Sequence, residues 1–182
     1  MKYYTINLDA NNSTAFIEEI QSNMSKVGKE FSKGEKIKFK EPFFEAIYTT
    51  ESEGFADVLS VSPLIVNEKT KNIIEATGVS MEFFDILLKG KKSKVKKTGY
   101  FIINILNNIN AIDYEKSKIE FYPETDIINS MSKLILNNTV SSNEIFSVEK
   151  IKRETFISSN IKELLKGTTG LTFKDSTEFS KI

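Results

Sequence analysis

Two groups of carboxylates come first among the residues able to do chemistry. Glu51, Glu53 and Asp57 surround Gly54, and Asp113 and Glu115 stand in "IDYEKS". Paired acids can move protons or hold a hard cation such as Mg²⁺. A calcium loop of the EF-hand type needs oxygen ligands at alternate positions, a central glycine and a closing glutamate, and neither group has that spacing. As surface acids, Glu51, Glu53, Asp57, Asp113 and Glu115 instead offer a negative face to a basic protein partner, which speeds association. Positive charge is concentrated between Lys89 and Lys97, where six of nine residues are lysine. Such a run can contact phosphates, or it can be a loop kept open by its own repulsion. Readers of nucleic acid rely on arginine forks and stacking aromatics. The chain has one arginine, Arg153, and the lysine run holds no aromatic. Ser159 and Lys162 have Ser-x-x-Lys spacing, but a serine capping a helix explains that pair better than a nucleophile.

The residue types that are missing exclude more. There is no His and no Cys. Zinc, haem and iron–sulfur sites lose their usual ligands, and Ser-His-Asp and Cys-His catalysis are ruled out. None of the eight glycines stands in a phosphate-loop spacing. No cofactor is expected, and the chain reads as a non-enzyme. Acids and bases balance at 25 each, so no global field draws in nucleic acid or an anionic membrane. The chain opens without the apolar run of a signal peptide and has no stretch of membrane-spanning length, so the expected location is the cytoplasm.

The 182 residues are 40% hydrophobic, with fourteen Phe and six Tyr. That is enough to fill one core, and no Gly/Ser- or Pro-rich linker divides the chain, so one domain over residues 1–182 is expected. Strands are expected at "KYYTINL", "KIKFK", "FFEAIYTT", "DVLSV", "YFIINIL", "KIEFY", "SKLIL" and "EIFSVEK". Phe16, Ile17, Ile20 and Met24 share a face at helical spacing, which predicts a helix after a Ser13 cap. Two further helices come from an internal echo. "LIVNEKTKNIIEATGVSMEFF" (64–84) and "TFISSNIKELLKGTTGLTFKD" (155–175) each read as strand, polar cap, short helix, glycine and strand. Asn67 caps the first helix and Ser158 or Ser159 the second. Gly78 pairs with Gly170 and Val79 with Leu171, and upstream "VLSV" (58–61) faces "IFSV" (145–148). The predicted fold is α+β: a strand-rich single domain with about three short helices and two similar strand-helix-strand units.

These elements carry a family resemblance. "DVL", "LIVNEKTKNII", "YFIINILNNINAIDYEKS", "EIFSV", "TFISSNIKELL" and "GLTF" stand in an order and spacing similar to the eleventh family of immunity proteins from bacterial polymorphic-toxin systems. The resemblance covers about residues 43–174, with Asn67 where that family usually has Ser. It implies a cytoplasmic, non-enzymatic protein that binds and neutralises a cognate toxin. No nucleic-acid or membrane partner is expected from the balanced charge, the resemblance hands over no interaction residues, and the oligomeric state stays open. The alternative that the residues leave open is a nucleic-acid-binding module built on the Lys89–Lys97 loop.

Overall fold

The computed structural model of the chain describes residues 2–9, 15–24, 31, 34–50, 54–92 and 95–179. Six strands form one sheet in the order β2 (Ala15–Ser22), β3 (Phe44–Thr50), β6 (Met81–Gly90), β7 (Lys96–Ile105), β5 (Leu64–Asn67), β4 (Val58–Val61). Five form a second: β13 (Leu171–Asp175), β1 (Tyr3–Leu8), β12 (Ile151–Ser158), β11 (Ile145–Val148), β8 (Asn108–Ile109). β9 (Lys118–Phe121) and β10 (Ile128–Lys133) make a two-stranded ribbon. Neighbours run antiparallel except β3–β6 and β8–β11. The α-helices among the described residues are α1 (Glu68–Glu75) and α2 (Ser159–Leu164).

The expected α+β class with three short helices is therefore corrected to a strand-rich fold with two. The segment predicted as the first helix is β2, and its cap residue Ser13 lies outside the described residues. The cause is a β-bulge. Ile17 pairs with Tyr48 and Glu19 with Ile47, so Glu18 is an extra residue. Alternation brings Ala15 and Ile17 inward, and the bulge resets the phase so that Ile20 and Met24 face inward too. One inserted residue thus turns a spacing of two into three and imitates a helix face. "KIKFK" (36–40) likewise is not a strand.

The internal echo is realised in three dimensions. In the first unit β4 and β5 form a hairpin, α1 follows, and β5 and β6 flank β7 on its two sides. In the second, β11 and β12 form a hairpin, α2 follows, and β12 and β13 flank β1. The central strand comes after the first unit in sequence but from the N-terminus for the second. Register fixes the correspondences: Asn67 lies opposite Tyr100, and Ser158 opposite Tyr3. Phe83 opposite Ile103 matches Phe173 opposite Ile6, and Met81 opposite Ile105 matches Leu171 opposite Leu8. Leu171 thus corresponds to Met81 rather than to Val79. Gly78 and Gly167 each sit two residues past a helix C-cap, Ala76 and Leu165, so Gly167 rather than Gly170 is the partner of Gly78.

The two units bury their matching faces together. Val58, Val66, Ile74 and Ile103 of one pack with Ile145, Ile157, Leu165 and Ile6 of the other. The opposite faces build two further cores. One gathers Phe44, Tyr48, Ile65 and Ile102. The other gathers Phe146, Phe156, Ile128 and Met131, which seats the β9–β10 ribbon.

Both central tyrosines act as buttresses. The Tyr100 hydroxyl donates to the Ala56 carbonyl at 2.9 Å, and that of Tyr3 donates to the Val140 carbonyl. Burial, with the Asp57 charge second, pushes the Tyr100 phenol up to about 12. An unfolded tyrosine titrates near 10, so folding favours the protonated phenol. That contribution is complete below about pH 10 and is lost as the pH climbs from there towards 12. Tyr100→Phe is expected to cost about 1 kcal/mol at neutral pH, from the hydrogen bond. It should also flatten the alkaline fall in urea midpoint; a variant with the wild-type alkaline slope would refute the assignment.

Candidate functional site

Caps and acids are joined at each unit. The Asn67 side chain accepts from the Thr70 amide at 2.9 Å and donates Nδ2 to Asp57 Oδ1 at 2.6 Å. Ser158 Oγ accepts from the Ile161 amide at 3.3 Å and donates to Glu144 Oε2. Backbone bonds repeat the match: the Asn67 amide donates to the Asp57 carbonyl at 2.7 Å, and the Ser158 amide to that of Glu144 at 2.9 Å. An acid just before the hairpin thus orients the residue that caps the following helix, in both units. Ser158, not Ser159, is the cap. Lys162 turns its ammonium over the Tyr4 ring, 4.0 Å from the centroid, and the Ser159 amide donates to the Lys2 carbonyl at 3.0 Å, so both are part of the scaffold around α2.

Asp57 does a second job. Its Oδ2 accepts from the Thr169 amide and hydroxyl at 2.9 and 3.0 Å, tying the first unit to the loop after α2. Burial pushes the carboxyl up, but the bonds from Thr169 and Asn67 outweigh it and hold Asp57 below the usual carboxylate range. The geometry occupies this acid with internal bonds. Glu51 and Glu53 lie outside the described residues.

Asp113 and Glu115 occupy the turn that leads into β9. Asp113 accepts from the Lys116 ammonium at 2.8 Å and its amide at 3.1 Å, and that lysine holds the carboxyl below its ordinary range. Glu115 is exposed. No described contact joins Asp57 to Asp113 or Glu115, and among the described residues no three Asp or Glu side chains converge in a way that would hold a metal ion.

The lysine run forms the end of the β6–β7 hairpin, with Lys94 outside the described residues. Lys89 pairs with Glu45 at 3.3 Å and Lys91 with Glu18 at 2.7 Å. Lys97 lies 3.9 Å over the Phe55 ring. Three of the six lysines are thus engaged with the protein's own acids and rings.

A third feature was not visible in the sequence. Every residue from Glu120 to Ile127, around the end of the β9–β10 ribbon, is exposed. Among them Tyr122 is 51% and Ile127 61% accessible, and their backbones face each other through a 3.0 Å bond from the Tyr122 amide to the Ile127 carbonyl. Phe121 and the exposed Tyr114 bring their rings to 6.3 Å. Lys150, held in a left-handed conformation (φ 66°), ties this group together. Its ammonium lies 3.1 Å from Asp126 and 5.9 Å from the Tyr114 ring centroid. Read as a sequence, "KIEFY" is one more short strand. The available signal was the mixing of Tyr114, Phe121 and Tyr122 with five acids between residues 113 and 127.

A family model for immunity proteins matches residues 11–178, reaching some thirty residues further towards the N-terminus than the motifs alone. No curated protein matches the chain. With nearly the whole described fold inside that match, the chain belongs to the Immunity protein family (Imm11).

Proposed function

We propose that the chain is the immunity partner of one bacterial toxin, and that it neutralises the toxin in the cytoplasm by direct protein–protein binding. The observation that carries this is the family match across residues 11–178. In this reading the protein uses no cofactor and makes no covalent change in its partner. Occlusion is the work, and a stable interface of about 1,600 Å² in total is enough for it. The shared positions of the twin units support the same view. They are caps, buttressing tyrosines, glycines and core residues, each with a folding role. Recognition then falls to the segments inserted between the units, and Asp113 and Glu115 lie in one of them.

The test is co-expression with the toxin domain encoded beside the gene. Growth should be arrested by the toxin alone and restored by this chain, with rescue saturating near one chain per toxin. Growth arrest undiminished by an excess of the chain would overturn the reading, and rescue at strongly substoichiometric levels would point to an enzyme instead.

A further inference from the structure

We propose that the free end of the β9–β10 ribbon, centred on Tyr114, Phe121, Tyr122 and Ile127 with Glu115 and Glu124 at its rim, is the surface that takes the toxin, and that the toxin meets it with a basic face. This rests on the immunity reading and adds the place and the chemistry of the contact.

The first ground is unpaired apolar area. Large apolar side chains exposed singly are ordinary, but four gathered at one end of a short ribbon mark an interaction site. Here there are two pairs: Tyr114 meets Phe121 ring to ring, and Tyr122 lies across the ribbon from Ile127, with Lys150 bridging from the Tyr114 ring to Asp126 beside Ile127. Tyrosine with one aliphatic neighbour is the composition of binding hot spots, because it presents a large rigid surface with few rotamers to freeze.

The second ground is how the ribbon is held. Ile128 and Met131 are buried in the core and Ile119 packs against it, while the eight residues of the end touch solvent. The base is therefore anchored and the end is presented. A β-turn closes the end, with the Thr125 amide bonded to the Tyr122 carbonyl at 3.1 Å and Pro123 in its second position. Glu124 takes the third position at φ 58°, where glycine or asparagine is cheaper. A strained glutamate at an exposed tip places a carboxylate beside the aromatic group, and such strain collects at functional sites.

The third ground is charge. With Lys150 included, five acids face three lysines around this end in a chain whose overall charge is zero; Lys116 and Lys150 pair with Asp113 and Asp126, which leaves Glu115, Glu120 and Glu124 as the excess. Lysine or arginine from a partner complements that excess, and the aromatic faces accept the same cations. The chain already shows this chemistry there, with its own Lys150 set between Asp126 and Tyr114.

The experiment measures binding of the toxin domain from the co-expression test to the full chain by interferometry. Y122A/I127A is expected to weaken affinity about 100-fold, mostly through faster dissociation. E115K/E124K is expected to slow association about tenfold at low salt, with the gap closing at high salt. L164S, at an exposed leucine on α2, should bind as wild type. Hydrogen exchange on the wild-type complex should protect residues 118–133, a readout that stands even if a variant misfolds. Full affinity in both variants, or a footprint that leaves 118–133 unprotected, would overturn the surface while leaving the immunity function intact. A chain that dimerises through this end, and loses the dimer in Y122A/I127A, would also overturn it by naming a second copy as the occupant. A wild-type chain that does not bind the toxin removes both readings together.

Discussion

Gly170→Ala is expected to cost about 4 kcal/mol of stability, while Gly78→Ala costs about 1 kcal/mol. Both glycines hold left-handed backbone, with φ of 84° and 71°. That conformation penalises any L side chain by roughly 1–2 kcal/mol, partly offset because alanine orders the unfolded chain. At Gly78 nothing lies within 4 Å of an added Cβ, so the backbone penalty is the whole effect. At Gly170 the Cβ would stand 2.2 Å from the Val58 carbonyl oxygen and 2.9 Å from the Ala56 Cβ. Neither neighbour is the end of a flexible side chain, so β4 and the 168–170 loop must separate. Separation strains the bond from the Val58 amide to the Thr169 carbonyl (3.1 Å) and the Asp57 contacts to Thr169. A domain with typical stability of roughly 5–15 kcal/mol would lose a large share of it. Urea unfolding of the two variants side by side checks this, and equal midpoint shifts would refute the close approach of the two units.

The same contact shows where sequence reasoning reached and where it stopped. Local devices were legible: the helix caps at Asn67 and Ser158, the apolar faces of the two helices (Ile161, Leu164 and Leu165 in the second, of which Leu164 is instead exposed) and the strands now numbered β3 to β5 follow from neighbours in the chain. The echo also led to the family, because caps and apolar spacing survive in sequence. What failed was non-local. A bulge at Glu18 changed the apolar phase and imitated a helix. Nothing in the chain states that β1 completes the second unit, since Tyr3 and Ser158 are paired only by the fold. The internal bonds of Asp57 were not legible because its partner Thr169 is over a hundred residues away. Tyr122 read only as the end of the strand "KIEFY", because exposure depends on what covers a strand, which the strand's own residues do not encode.

Asp57 and Glu144 occupy matching places, yet their removal should not cost the same. Asp57→Ala strips the acceptor from three donors: Asn67 Nδ2, the Thr169 amide and the Thr169 hydroxyl. Bonds to a charged acceptor contribute about 1.5–3 kcal/mol each, with strong sharing among donors on one group, so a loss of about 3 kcal/mol is expected. Glu144→Ala strips two donors, Ser158 Oγ and Asn160 Nδ2, both within its own unit. About 1–2 kcal/mol is expected there. Asp57→Asn should not rescue, because an amide nitrogen would face the donors that a carboxylate accepts from both sides. The sign with pH follows from the lowered carboxyl. A depressed folded value means the stabilisation is present above the unfolded value, about 3.9, and is lost as the pH falls through the folded one. The gap in urea midpoint between wild type and Asp57→Ala should therefore be full at pH 7 and shrink below about pH 4. Other carboxyls held low, Asp113 and Asp175 among them, weaken both proteins alike in acid, so the difference isolates Asp57. A gap unchanged between pH 7 and pH 3 would mean that the packing of Asp57, and not its charge, joins the two units.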